Sequence, residues 1–249
     1  VTRARGLRAA AAALAVACLP SCSRGGTRPT FAGAPVVLIS IDTLRADRLP
    51  VYGYTRIETP ALDRFAKDAW LFENAYSPCP MTLPAHTTML TGLLPPEHGV
   101  RNNIGFAFDG GAHASLPKLL AAHGYATGAA VSSYVLRYDT GLGALFDSYE
   151  DSFSTTPGVQ AVHYRRPGDL TAAFAEAWIG EHAGKPFFFL FHLYEPHVPY
   201  DPPEPFRSRY GVTYDAEVAT ADAIVGGFLD ALKKLGVYDK AIVIVVSDH

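Results

Sequence analysis

The chain is short of cysteine, of net charge and of long apolar runs, and each shortage removes a class of protein. Its 249 residues hold three cysteines, two of them Cys18 and Cys22 near the N-terminus, so removing a leader there would leave Cys79 alone. No intramolecular disulfide is then available, and stability has to come from an apolar core. The formal charge is −3. That mild acidity, with no run of like charges, argues against a nucleic-acid partner or a charged binding tail. The apolar stretch at residues 9–19 is too short to cross a bilayer as a mature helix.

That stretch has another reading. Arg3, Arg5 and Arg8 precede it, and small residues and Cys22 follow, which is the layout of an export signal. Both Ala15-Val16-Ala17-Cys18 and Leu19-Pro20-Ser21-Cys22 resemble a bacterial lipoprotein cleavage box, whose cysteine becomes lipidated. Cys22 is favoured because a leucine lies three places before it; an ordinary secretory signal is the alternative. Residues 1–22 are thus expected to be a lipoprotein-type signal peptide, and the protein to be exported and tethered to a bacterial membrane by lipid. Residues 23–35, rich in Gly, Arg, Thr and Pro, read as a flexible tether.

From residue 36 onward, apolar runs alternate with amphipathic segments over a length that suits one large core. Strands are predicted at 36–41, 126–131, 187–193 and 241–246, with a weaker one at 70–75. Thr59-Pro60 starts one helix and Ser115 another that stops at Gly124. Longer helices are predicted at 170–182 and 215–235, the second closing at Gly236. Between Asp147 and Pro167 the pattern weakens into a surface excursion. Strand and helix in alternation predict an α/β sandwich with a central, mainly parallel sheet flanked by helices. The last predicted strand is followed by only Ser247-Asp248-His249, so a longer parent chain is expected, of which residues 36–249 form the N-terminal portion of a catalytic domain.

Open α/β sheets bind ligands beyond the carboxyl ends of their strands. Asp42 follows the first strand, Asp248 and His249 the last, and His197 lies just past the strand at 187–193. Thr82 precedes a helix predicted to start at Pro84, where free backbone N–H groups would receive an anion. Carboxylates, an imidazole and a hydroxyl on one edge of a sheet suggest a metal site with an activated nucleophile.

The segments Leu38-Ile39-Ser40-Ile41-Asp42-Thr43-Leu44-Arg45-Ala46-Asp47, Thr59-Pro60-Ala61-Leu62-Asp63, Thr82 through Gly92, Pro95-Pro96-Glu97-His98-Gly99-Val100 and Ser247-Asp248-His249 resemble the N-terminal portion of sulfatase-family enzymes, in the alkaline phosphatase superfamily. The resemblance runs from Val36 to the last residue. It implies one metal sphere of Asp42, Thr82, Asp248 and His249, and a role for His197 at the ester group or its leaving oxygen. His192 and Glu195 would be candidates for a second metal, and Asp222 for orienting structure. A nitrogen from His249 favours zinc or manganese, with calcium as the alternative.

Departures from the family pattern decide the expected chemistry. Sulfatases carry Cys-x-Pro-Ser-Arg, whose cysteine is oxidised to formylglycine. Here Thr82 stands at that position, Pro84 matches, Ala85 replaces the serine and His86 the arginine, leaving His86 as the candidate substrate contact. Cys79 has the wrong spacing to the proline and to Thr91-Gly92, so packing is its expected role. The lysine that usually follows Gly124-Tyr125-Ala126-Thr127 is missing, so two cations that hold sulfate are absent. Threonine cannot become formylglycine, but it resembles the nucleophile of the superfamily's phosphodiesterases and phosphotransferases. The expected activity is therefore hydrolysis or transfer of a phosphate or phosphonate ester, with small-molecule, glycan or lipid esters as substrates. Sulfate-ester hydrolysis by an unusual site, and an inactive membrane-tethered fragment, are the alternatives.

Overall fold

The computed structural model describes residues 31–153 and 164–249. The expected signal peptide and most of the tether lie outside the described residues, as does much of the segment between 147 and 167.

Five strands form where β-branched, aromatic and small residues run together: β1 (Val36–Ile41), β2 (Ala126–Ala130), β3 (Ser148–Glu150), β4 (Phe187–Leu193) and β5 (Ile242–Ser247). Their order is β3-β2-β4-β1-β5, and every pairing is parallel. The chain leaves β1 for β2 on one side and finishes at β5 on the other, so β1 lies at a switch point with its carboxyl end facing a crevice.

Seven α-helices complete the described residues: α1 (Pro60–Lys67), α2 (Thr82–Thr91), α3 (Pro95–His98), α4 (Leu116–Ala122), α5 (Gly168–His182), α6 (Phe206–Tyr210) and α7 (Tyr214–Lys234). Gly124 and Gly236 adopt positive φ of 83° and 67°, which lets the chain turn sharply after α4 and α7.

Strand residues alternate between faces, and this parity splits the core. Val37, Ile39, Ile41, Phe187, Phe189 and Phe191 pack with Trp178 of α5 and Phe228 of α7. Leu38, Phe188 and Leu190 pack on the opposite face with Leu83 and Leu90 of α2. Gly128 fits this packing because a Cβ there would meet the Trp178 ring at 2.7 Å. Continuing the second parity reaches Ser40 and His192, register partners on the α2 face. Two polar residues thus end an apolar row, next to the strand ends that carry the candidate chemistry.

The structure corrects two expectations. Residues 70–75 form no strand; Trp70 is 86% exposed and Tyr76 87%, and among the described residues no strand pairs with this segment. β3 lies inside the segment read as a surface excursion. It is a three-residue edge strand, Ser-Tyr-Glu, whose half-polar composition carries little apolar signal.

Candidate active site

Asp42 caps β1 and is held there by its N–H, which donates to Leu193 O of β4 at 3.0 Å. Asp248 follows β5, and its Oδ1 accepts from Thr43 N at 3.0 Å and His249 N at 2.8 Å. The first of those bonds ties the end of β1 to the end of β5. Thr43 pays for the turn with φ of 56°, uncommon for a β-branched residue. Tyr214 of α7 pins it: the Tyr214 hydroxyl donates to Thr43 O and accepts from Arg45 N, each at 2.8 Å.

Thr82 is the first residue of α2, two positions before the predicted start. Its Oγ1 lies 3.5 Å from His249 Nε2. The same nitrogen lies 3.8 Å from Asp42 Oδ1 and 3.7 Å from Asp248 Oδ2. The first-turn donors do not form the expected anion cradle: Leu83 N donates to Asn103 Oδ1, Ala85 N to Met81 O, and Pro84 has no N–H.

Both oxygens of Asp42 and Oδ2 of Asp248 are buried without a hydrogen-bond partner. Buried carboxylate oxygens are seldom orphaned unless an ion completes them. Burial, reinforced by the Asp248 charge and opposed by the Thr82 hydroxyl, holds the Asp42 carboxyl well above the ordinary range. Ligand atoms on a tetrahedral ion with bonds of about 2.1 Å stand roughly 3.4 Å apart. The separations of 3.5–3.8 Å around His249 Nε2 are of that size. Asp42, Asp248 and His249 form one metal-capable group, with Thr82 at its border. The residues present fit a divalent cation.

The sulfatase family model matches residues 35–249. The chain belongs to the sulfatase family. It is 28% identical to human N-acetylgalactosamine-6-sulfatase over 273 residues, covering 87% of this chain and 51% of that protein. Two solved structures superpose with TM-scores of 0.72: a protein of the alkaline phosphatase superfamily from Vibrio parahaemolyticus and the phosphonate monoester hydrolase of Agrobacterium radiobacter. They are 21% and 20% identical; each match covers 87% of this chain, and 54% and 62% of theirs. The chain spans about half the length of the human relative, and the described part carries the N-terminal part of the sulfatase fold.

Within this sulfatase fold the remaining predicted residues take distinct places. His197 follows β4, its ring 4.7 Å from that of Tyr194; burial holds the pKa of His192 well below the ordinary range, with smaller contributions from His86 and then His197. His86 is only 1% exposed, with Nδ1 2.8 Å from Thr82 O and Nε2 2.9 Å from Ser40 Oγ; burial lowers its pKa. Its Nδ1 lies 3.7 Å from Asp248 Oδ2, the oxygen that also faces His249. Glu195 and His192 do not meet: Glu195 Oε1 accepts from Gly168 N at the start of α5, while His192 turns toward Asp42. Cys79 is buried as a free thiol. Asp222 accepts from Ala61 N and Leu62 N at 3.2 and 2.7 Å, capping α1 from α7.

Sequence reasoning missed Ser40, Ser132, Tyr214 and the contact between Tyr214 and Thr43. Ser40 had a usable signal, since a serine interrupting an apolar strand next to Asp42 breaks the pattern. Thr43 and Tyr214 had none, being 171 residues apart.

Proposed function

We propose that this member of the sulfatase family is a metal-dependent hydrolase of phosphate or phosphonate esters, with Thr82 as its nucleophile. One observation carries the reading: a threonine hydroxyl, which no oxidation converts to formylglycine, stands 3.5 Å from His249 Nε2 beside three orphaned carboxylate oxygens. Asp42, Asp248, His249 and Thr82 would hold the cation, and the histidine nitrogen favours zinc or manganese over calcium. When bound, such an ion lowers the pKa of a neighbouring hydroxyl and neutralises developing charge on the transferred group.

The chain's own residues supply the rest. The Thr82 hydroxyl gives up its proton to solvent as Oγ1 bonds to phosphorus, the P–O bond to the leaving group breaks, and a protonated His197 gives that oxygen its proton. Water then cleaves the phosphothreonine and releases the second product. The similarity to a phosphonate monoester hydrolase supports phosphorus chemistry. The similarity to a human sulfatase supports sulfate-ester hydrolysis as the second reading, with an amino-sugar ester as its natural class. The leader pattern around Cys22 supports an exported, lipid-anchored enzyme acting on glycan, lipid or small-molecule esters.

The test is a substrate panel on the full chain with zinc or manganese: an aryl phosphodiester, an aryl phosphonate monoester, an aryl phosphate and an aryl sulfate. Phosphorus esters should turn over fastest. An aryl sulfate turned over fastest, with the rate surviving Thr82→Ala, would overturn both the substrate class and the nucleophile.

A further inference from the structure

The carboxylates have a second set of neighbours besides Thr82 and His249. His192 and Ser40 end the apolar row on the α2 face, and His86 of α2 closes over them, its ring edge-on to that of His192 with centroids 5.0 Å apart. Both histidines are at most 1% exposed. His86, His192 and Asp248 lie close enough together to suggest a second ion sharing Asp248. Hydrogen positions decide otherwise.

A backbone carbonyl only accepts, so the Nδ1 of His86 that contacts Thr82 O must carry the hydrogen. Its Nε2 then accepts from the Ser40 hydroxyl. A backbone N–H only donates, so the Nδ1 of His192, 3.3 Å from Ser132 N, must be the bare nitrogen. In the neutral ring the hydrogen of His192 therefore sits on Nε2, a buried atom without a hydrogen-bond partner. That Nε2 lies 3.8 Å from Asp42 Oδ2, and the His86 Nδ1 lies 3.7 Å from Asp248 Oδ2. The nitrogen facing each carboxylate is a donor without a lone pair for a metal.

We propose that His192 is a positioning residue, which turns its spare N–H toward Asp42 Oδ2 and leaves Oδ1, the oxygen facing His249, for a single ion, while the one N–H of His86 is spent on Thr82 O. The inference rests on the metal reading given under Proposed function. Donors behind ligating carboxylates commonly set metal affinity by about 10–100-fold. The pair also ties the site to the core, because Ser132 N and Thr82 O fix the two tautomers.

The experiment is metal titration of the full chain, with zinc by calorimetry and with cobalt by its visible spectrum. Wild type should bind one ion. His192→Ala should still bind one, about 10–100-fold more weakly, with the cobalt spectrum retained at saturation. His192→Gln, which keeps an N–H donor, should recover part of the loss, and it provides the reading if the alanine variant does not fold. Two ions in wild type falling to one in His192→Ala would overturn the inference, making His192 a ligand. So would unchanged affinity in both variants. Absence of any binding by wild type would instead bring down the metal reading itself, and this inference with it.

Discussion

His249 Nε2 stands 3.5 Å from Thr82 Oγ1, although 167 residues separate them. One residue follows the β5 strand and the other opens α2, so their meeting depends on β5 lying beside β1 in register. The hydroxyl is 3% exposed at the level of the residue, shielded by the helix it begins. Thr82→Ala should lower phosphoester turnover by at least about 10³-fold, because a nucleophile has no substitute in a covalent mechanism. Thr82→Ser, which keeps the oxygen, should stay within about tenfold. Steady-state kinetics at saturating metal check both.

Removing the ion should cost stability, since it leaves two buried carboxylates facing each other. Zinc at about 1,000 times its dissociation constant should add about 4 kcal/mol. Asp42→Asn should reverse the pattern. Without metal it removes a carboxyl that burial and the Asp248 charge make costly to ionise, and should raise stability by up to about 1–2 kcal/mol. With zinc present, most of the gain seen in wild type should disappear. Thermal melts with and without chelator measure all four states, and a metal-free Asp42→Asn less stable than wild type would contradict the electrostatic argument.

Much of the fold could be read beforehand because its strands are long and apolar. Phe187-Phe188-Phe189-Leu190-Phe191 has few other places to go than the middle of a sheet, and β4 is buried throughout. β3 escaped notice because three half-buried residues on an edge leave no period to detect. The run at 70–75 misled for the opposite reason: it has apolar content, but a strand also needs a hydrogen-bonding neighbour, which sequence does not display. At the site, Asp42, Thr82, Asp248 and His249 stood out because each follows a strand or opens a helix. Ser40 and the aim of His192 did not, since both depend on which face of the sheet receives α2. The tautomers depend on Ser132 N and Thr82 O, and no motif encodes those contacts.

The pinning of Thr43 by Tyr214 gives a coupled prediction. Tyr214→Phe removes a donor from Thr43 O and an acceptor from Arg45 N, and should cost about 1–3 kcal/mol. It should also weaken metal binding, because Thr43 N donates to Asp248 Oδ1. Thr43→Gly tolerates the positive φ without a pin, since glycine has no Cβ to strain. In that background the cost of Tyr214→Phe should shrink by at least about 0.5 kcal/mol. A double-mutant cycle in urea measures the coupling, and strict additivity would show that the hydroxyl does not support the turn.

Asp222 supplies a pH dependence through contacts with α1. Its carboxyl accepts two N–H groups at the start of α1, yet burial, the larger effect, pushes its pKa up to about 6. The unfolded chain releases that proton near pH 4, so between about pH 4 and 6 the folded protein binds more protons than the unfolded one. This group's contribution to stability therefore falls as pH rises through that window and is flat above it, a loss of roughly 2–3 kcal/mol in all. Asp222→Asn cannot titrate and should lack the slope. Because other groups titrate equally in both proteins, the difference between their melting curves at pH 4.5 and pH 7.5 isolates the effect. The wild type should lose more stability than the variant over that interval. Parallel curves would mean that the two N–H groups of α1 hold the carboxylate ionised and that capping outweighs burial at this position.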